Sequence, residues 1–374
     1  MSRTLKGGSE LYEAYLKHLL EVIVSKGETS ASGAGHKIDL EVAAREIAIL
    51  LRPLSILVAS NLGVEGITDV ESFAALQRDA WFNLAVHGFS TRTPLGKKYI
   101  QELKILAKYT RPLISEERAN NLVSDIELNT VLRRGMTTES TAQAKKELGE
   151  LLPQCDHDIR NMSYPELMFL KATHLVETSR ASTGDCTKVQ RYFVDRHLRG
   201  TALGNCINNI ALLATDMFVS TALTGQKDLF SAPYVAQQLA RAFEDCCHRV
   251  ESVQKVAFAC ADRIVANVPS ALCQRTSLFT LLDLLSIMWG SCLEGETDEY
   301  RWRSAHVRGT TSVQLSDDYH FRRFTLRSLH RRARDWVAAV INLAPLDVKG
   351  LLQVKIHRHL SMDRGLKMTD ILIR

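Results

Sequence analysis

Apolar residues recur at steps of three and four along nearly the whole chain, the spacing of one face of an α-helix. From Leu11 the series Tyr12, Tyr15, Leu16, Leu19, Leu20 and Ile23 predicts a first helix, closed by the Gly-, Ser- and Thr-rich stretch Lys26 to Gly35. A second run opens near Ile38 and carries Ile47, Leu50, Leu51, Leu54, Ile56, Leu57 and Val58. Pro53 lies inside it, lacks an amide donor, and is expected to kink or split it. Asp69 is the expected N-cap of a third run to Phe89, through Phe73, Leu76, Trp81, Leu84 and Ala85. Further helices are predicted from Leu95 to Tyr109 and from Ser115 to Arg134.

The polar, non-periodic stretch Gly135 to Gln143 is the expected internal linker. It divides the chain into an N-terminal helical segment, 1–135, and a C-terminal one, 136–374, continuous with the first. Ser163-Tyr164-Pro165-Glu166 predicts a helix start, with Ser163 and Glu166 forming a reciprocal cap and proline tolerated in the first turn. Downstream, Val235, Leu239, Phe243, Cys246 and Val250 step by three or four, as do Val253, Val256, Cys260, Ile264 and Val268. Leu278 to Trp289 is apolar nearly all round, as in a helix sandwiched between neighbours. Alternation of the strand type is confined to Thr311–Leu315. The fold class is therefore all-α: about a dozen helices, paired antiparallel in an irregular α-solenoid, with a compact helical bundle as the alternative.

Only 8 prolines interrupt 374 residues, and 45% hydrophobic with 24% charged residues describes a folded, soluble chain. A net charge of +5 is modest for this length and gives no bulk attraction to nucleic acid or anionic membrane. The eight cysteines include no CxxC pair and lie among apolar residues, which reads as small buried hydrophobes in a reducing compartment. The start, Met1 to Gly8, lacks an apolar signal core, so a cytoplasmic location is expected and the Asn161-Met162-Ser163 sequon has no secretory context. Ala202–Leu223 and Leu278–Leu293 are apolar enough to suggest membrane spans. The first holds Asn205, Asn208, Asn209 and Asp216, the second Asp283, and both read as buried helices of a soluble protein.

No catalytic constellation emerges. Asp195-Arg196-His197 is similar to the catalytic-loop triplet of lipid kinases, yet Leu198-Arg199-Gly200 follow where metal-holding asparagines belong. Neither an Asp-Phe-Gly element nor a glycine-rich phosphate loop accompanies it. Cys155-Asp156-His157, Cys246-Cys247-His248 and His357-Arg358-His359 contain metal-ligand types without a second pair at zinc-site spacing. The catalytic, cofactor and metal assignments are accordingly none.

One surface carries a functional expectation. Arg323, Arg327, Arg331 and Arg334 share a helical stripe, with Arg322, Arg332 and His330 among them. Phe324, Leu329, Ala333, Trp336, Val337 and Val340 are expected on the apolar side. The stripe suits an acidic partner or an anionic membrane surface; its structural reading is a solvated helix back. Aromatics do not interleave as base stacking requires, so nucleic acid is not expected.

From Ala261 onward the chain resembles a known family. Asp262-Arg263-Ile264-Val265-Ala266-Asn267-Val268-Pro269-Ser270 leads into Leu278-Phe279-Thr280-Leu281-Leu282-Asp283-Leu284-Leu285. The arginine-rich helix then runs into Trp336-Val337-Ala338-Ala339-Val340-Ile341-Asn342-Leu343-Ala344-Pro345, followed by Val348-Lys349-Gly350-Leu351-Leu352-Gln353. This order is similar to the helical region N-terminal to the kinase domain of type III alpha phosphatidylinositol 4-kinases, in particular the fungal plasma-membrane form. The match is best over 257–353. The resemblance implies a scaffold segment of an enzyme making phosphatidylinositol 4-phosphate, with ATP and magnesium used by a kinase domain outside this chain. It also implies dimerisation, docking to a tetratricopeptide-repeat adaptor and a palmitoylated membrane anchor, and peripheral location at the plasma membrane. The residues from Ile356 to Arg374 depart from the family's continuing helix, so a fragment or truncated reading frame is expected. The alternatives are a stand-alone helical-repeat adaptor and a peripheral membrane module.

Overall fold

The computed structural model of the chain describes Leu5, Gly7 and residues 9–29, 36–60, 70–224, 231–293, 301–304 and 311–362. Asp69, read as a helix cap, lies outside the described residues, as does the end of the chain after Met362. Fifteen α-helices make up almost all regular structure among the described residues. They are α1 (Glu10–Thr29), α2 (His36–Ser60), α3 (Val70–Val86), α4 (Pro94–Lys98), α5 (Ile100–Tyr109), α6 (Asp125–Leu128), α7 (Thr138–Leu151) and α8 (Asp156–Arg160). The chain continues with α9 (Tyr164–Ala181), α10 (Ala202–Thr224), α11 (Ala232–Asp245), α12 (Glu251–Asn267), α13 (Arg275–Leu293), α14 (Tyr319–Leu343) and α15 (Pro345–Met362). One antiparallel hairpin, β1 (Arg301–Ser304) with β2 (Thr311–Gln314), supplies the strand expected near Thr311, with Trp302 opposite Val313.

Several predicted boundaries move for identifiable reasons. α2 runs through Pro53 as one helix. The run predicted from Leu95 to Tyr109 is two helices, α4 and α5, that meet at Tyr99. The helix predicted from Ser115 to Arg134 is largely irregular, because its polar side chains bond the backbone in competition with helix. Asn129 Oδ1 accepts from the amides of Val131 and Leu132 at 2.9 and 3.2 Å, and Ser124 Oγ from that of Ile126 at 3.3 Å. The expected linker holds instead the start of α7, capped reciprocally by Thr137 and Ser140. By internal packing the chain forms two compact units, Met1–Met217 and Phe218–Arg374.

In the first unit α1 packs on α2 and α3, α2 on α5, and both α3 and α5 on α9. The cap read from Ser163 and Glu166 is present at the start of α9, with the Ser163 amide donating to Glu166 Oε2 at 2.8 Å. Nearly every residue of α9 is buried, including Thr173, His174, Glu177, Thr178, Ser179 and Arg180. Phe169 packs between Phe82, whose ring is tilted to it, and Tyr192, which it meets edge to face, with ring centroids at 5.9 and 6.2 Å. α1 closes tightly on α3: a Cβ at Gly27 would stand 1.9 Å from Asn83 Oδ1, while Asn83 Nδ2 donates to Ile23 O at 2.6 Å.

A pH dependence follows from α9. Burial first, then the positive charge of Arg92, pushes the His174 imidazole down to about 4 from 6.5. Between those values the unfolded chain binds a proton that the folded chain does not, so stability rises with pH and is lost as pH falls through this window. Acidification from pH 7 to pH 5 is expected to cost about 2 kcal/mol through this side chain. Urea unfolding of His174→Gln should show a smaller loss, and identical pH dependence in both proteins would refute the assignment.

In the second unit α13 packs on α11, α14 and the hairpin, α11 on α12, and α14 on α15. The apolar stripes read from the sequence are the buried faces: Val235, Leu239 and Phe243 on α11; Val253, Val256, Cys260 and Ile264 on α12. α10 and α13 are long and apolar enough to cross a membrane by length and composition, and 67% of the α13 window is buried within the fold. Asp283, inside that window, forms a buried ion pair with Lys355 of α15, whose ammonium also lies 5.1 Å from the Phe279 ring centroid.

Candidate partner-binding surface

Two anchors hold α14. At its start the Asp318 side chain caps the helix, and the buried Arg322 donates from Nη1 to the carbonyls of Ser316 and Asp317 at 2.9 and 2.8 Å. Midway, Asp262 of α12 accepts from Trp336 Nε1 at 2.8 Å and pairs with Arg332, whose guanidinium lies 4.9 Å from the Phe258 ring centroid. Trp336 also stacks on Phe243 at 5.0 Å. Gln254 of α12 donates to Thr325 Oγ1 at 3.0 Å. The buried face of α14 is thus Arg322, Thr325, Leu329, Ala333, Trp336 and Val340.

At about 100° per residue, Arg323, Arg327, Arg331 and Arg334 fall on the opposite side of the helix, and all four are exposed. The structure therefore brings the predicted stripe together on solvent. It separates Arg322 and Arg332 from it, since both are spent on internal contacts. Phe324, expected on the apolar side, is 56% exposed and stands among the arginines, about 140° from the centre of the buried face. The sequence signal for both was present in the phase of Leu329, Ala333, Trp336 and Val340.

A feature absent from the sequence reading borders this stripe. Between α12 and α14 lies an open groove of about 490 Å³, lined by Val265, Ala266, Pro269, Trp336, Ala339 and Leu343, with Arg331 and Asp335 at its edge. Pro269 and Leu343 also line a second groove of about 820 Å³ that runs on along α15, past Leu346, Leu351 and Val354.

No protein-family model matches the chain. It is 33% identical over 356 residues, or 92% of its length, to phosphatidylinositol 4-kinase STT4 of Saccharomyces cerevisiae. It is 31% identical over 285 residues, or 76% of its length, to phosphatidylinositol 4-kinase stt4 of Schizosaccharomyces pombe. The chain is related to a segment of the Stt4 phosphatidylinositol 4-kinases. It spans 18% of the length of the first and 15% of the second. The budding-yeast Stt4 match takes in both compact units, well beyond the 257–353 stretch on which the resemblance was read.

Set beside an Stt4 kinase, the Asp195-Arg196-His197 triplet has a plain structural role here. The Asp195 carboxylate accepts from the His197 amide at 2.9 Å, turning the chain. The Arg196 amide then donates to Ala119 O at 3.0 Å and its Nη1 to Asn120 O at 3.2 Å, while His197 Nε2 bonds Asn121 O at 2.9 Å. Three successive carbonyls of an irregular loop are thereby tied down. Cys155, Cys246, Cys247 and His248 are buried, whereas His157 is exposed. Cys155 accepts from Asn209 Nδ2 at 3.1 Å, and His248 Nδ1 accepts from the Val250 amide at 3.1 Å. Burial, with the negative charges of neighbouring groups adding to it, pushes the Cys246 and Cys247 thiols up, away from the thiolate that would bind metal.

Proposed function

We propose that the chain is a non-catalytic helical scaffold segment of a phosphatidylinositol 4-kinase, an irregular α-solenoid stretch that buries apolar faces between helix pairs and offers its polar faces to partners. The whole enzyme would make phosphatidylinositol 4-phosphate from phosphatidylinositol and ATP, at the plasma membrane. By resemblance, its partners are a tetratricopeptide-repeat adaptor and a palmitoylated membrane anchor, with dimerisation through helical surfaces. The observation that carries this reading is the match of 92% of the chain to under a fifth of a lipid kinase. It is supported by the commitment of the kinase-like triplet to loop carbonyls.

Two measurements test it together. The isolated chain, given phosphatidylinositol vesicles with ATP and magnesium, is expected to show no turnover above a protein-free blank; robust turnover overturns the reading. A chimera in which the chain replaces the matching stretch of the budding-yeast kinase is expected to keep membrane recruitment. Deletion of that stretch is expected to lose it, and undiminished recruitment of the deletion would count against a scaffold.

A further inference from the structure

The arginine stripe and the apolar grooves form one surface. On α14 the groove residues Trp336, Ala339 and Leu343 and the stripe residues Arg327 and Arg334 lie to either side of Arg331, which belongs to both. Arg332, the other arginine lining the groove, is already paired with Asp262. The groove follows α14 from Arg331 to Leu343, about 18 Å, and then turns along α15. Leu343 is 68% and Leu346 84% exposed, and large apolar side chains grouped in a concavity with a polar rim mark interaction sites.

We propose that this surface is a docking site for an acidic amphipathic helix of a protein partner. The helix lays its apolar stripe against Ala339, Leu343 and Leu346 and pairs its carboxylates with Arg331, Arg327 and Arg334. The proposal rests on the docking role above and names the partner's chemistry. The groove between packed helices favours a helix over a flat bilayer, which would meet only its exposed rim. Asp335 and Asp347 also line it, so the partner's apolar stripe lies over the groove and its carboxylates lie to the side of Arg327, Arg331 and Arg334. An apolar groove flanked on one side by the exposed Arg327, Arg331 and Arg334 suits an amphipathic helix with one acidic flank.

The test uses the full chain and two labelled 18-residue helical peptides with the same leucine stripe, one with glutamate and one with lysine on the polar face. Fluorescence anisotropy at physiological salt is expected to give binding of the glutamate peptide about tenfold tighter than the lysine peptide. Arg331→Glu is expected to weaken the glutamate peptide about fivefold and Leu346→Asp about tenfold. Both positions are exposed, and unchanged melting temperatures verify that the variants fold. Equal affinity for the two peptides, or binding that neither substitution alters, overturns the proposal. So does displacement of the glutamate peptide by phosphatidylserine vesicles, which assigns the surface to lipid, or a dimer abolished by Leu346→Asp, which assigns it to a second copy. A chain without lipid-kinase turnover that binds neither peptide sinks this site alone and leaves the scaffold reading standing.

Discussion

Asp283→Leu, with Lys355 left in place, is expected to destabilise the protein by about 3–5 kcal/mol, a fall in melting temperature on the order of 10 °C. The carboxylate and the ammonium are both buried, and the pair joins the middle of α13 to α15. Removing one member strands the other charge in an apolar site, next to the Phe279 ring, where water cannot repay its lost hydration. The pair itself contributes little net stability, because desolvating two ions offsets most of their attraction. Asp283 Oδ2 has no hydrogen-bond partner among the described residues, which adds to that cost. The double variant Asp283→Leu/Lys355→Met is therefore expected to recover to within about 1 kcal/mol of the parent. Urea denaturation of the three proteins decides it: a double variant as unstable as the single one would mean that the pair supplies more than mutual neutralisation.

The buried pair of α9 is expected to behave differently. Arg180 pairs with Glu177, donates from Nε to Ala107 O at 3.1 Å and from Nη2 to Thr110 O at 2.8 Å. Those carbonyls belong to the last turn and C-cap of α5, where acceptors run short of intrahelical donors; Ala107 O also takes the Thr110 amide at 3.2 Å. Arg180→Met is expected to cost about 3–5 kcal/mol, by leaving the Glu177 carboxylate without its counter-ion and the Thr110 carbonyl without its donor. Glu177→Gln/Arg180→Met removes the charge conflict but not the carbonyl deficit, so its recovery should stop about 1–3 kcal/mol short of the parent. The single variant also carries a pH signature. Burial already pushes the Glu177 carboxyl up, with Arg180 opposing that shift. Without Arg180 it rises further, and the folded state then holds a proton that the unfolded state releases above its own carboxylate range. Stability gained in this way is present at low pH and lost as pH rises. The deficit of Arg180→Met should therefore be larger at pH 7 than at pH 5, and a pH-independent deficit would contradict this account.

Helical periodicity was legible wherever one face of a helix is apolar and the other wet. Val235 to Phe243 and Val253 to Ile264 are buried as their spacing demands, and the start of α9 could be read from Ser163 and Glu166 alone. α9's burial could not. Glu177 and Arg180 neutralise each other and Arg180 reaches α5, more than sixty positions upstream, so no local pattern announces a core helix. In the irregular loop at 116–124 a distant cause joins the local one, since the carbonyls of Asn120 and Asn121 are held by Arg196 and His197, more than seventy positions downstream. Of the candidate surface, the four exposed arginines were visible in the sequence. The groove beside them was not, because it exists only where α14 packs against the turn after α12 that carries Pro269.

The separation of Asp283 from Lys355 along the chain, 72 residues, has a consequence for biosynthesis. α13 leaves the ribosome well before the cation that neutralises it. During that interval an apolar segment carries a lone acid, which raises the cost of burying it in a protein interior or a bilayer. Only when α15 has emerged does the nascent chain acquire the means to finish this half of itself.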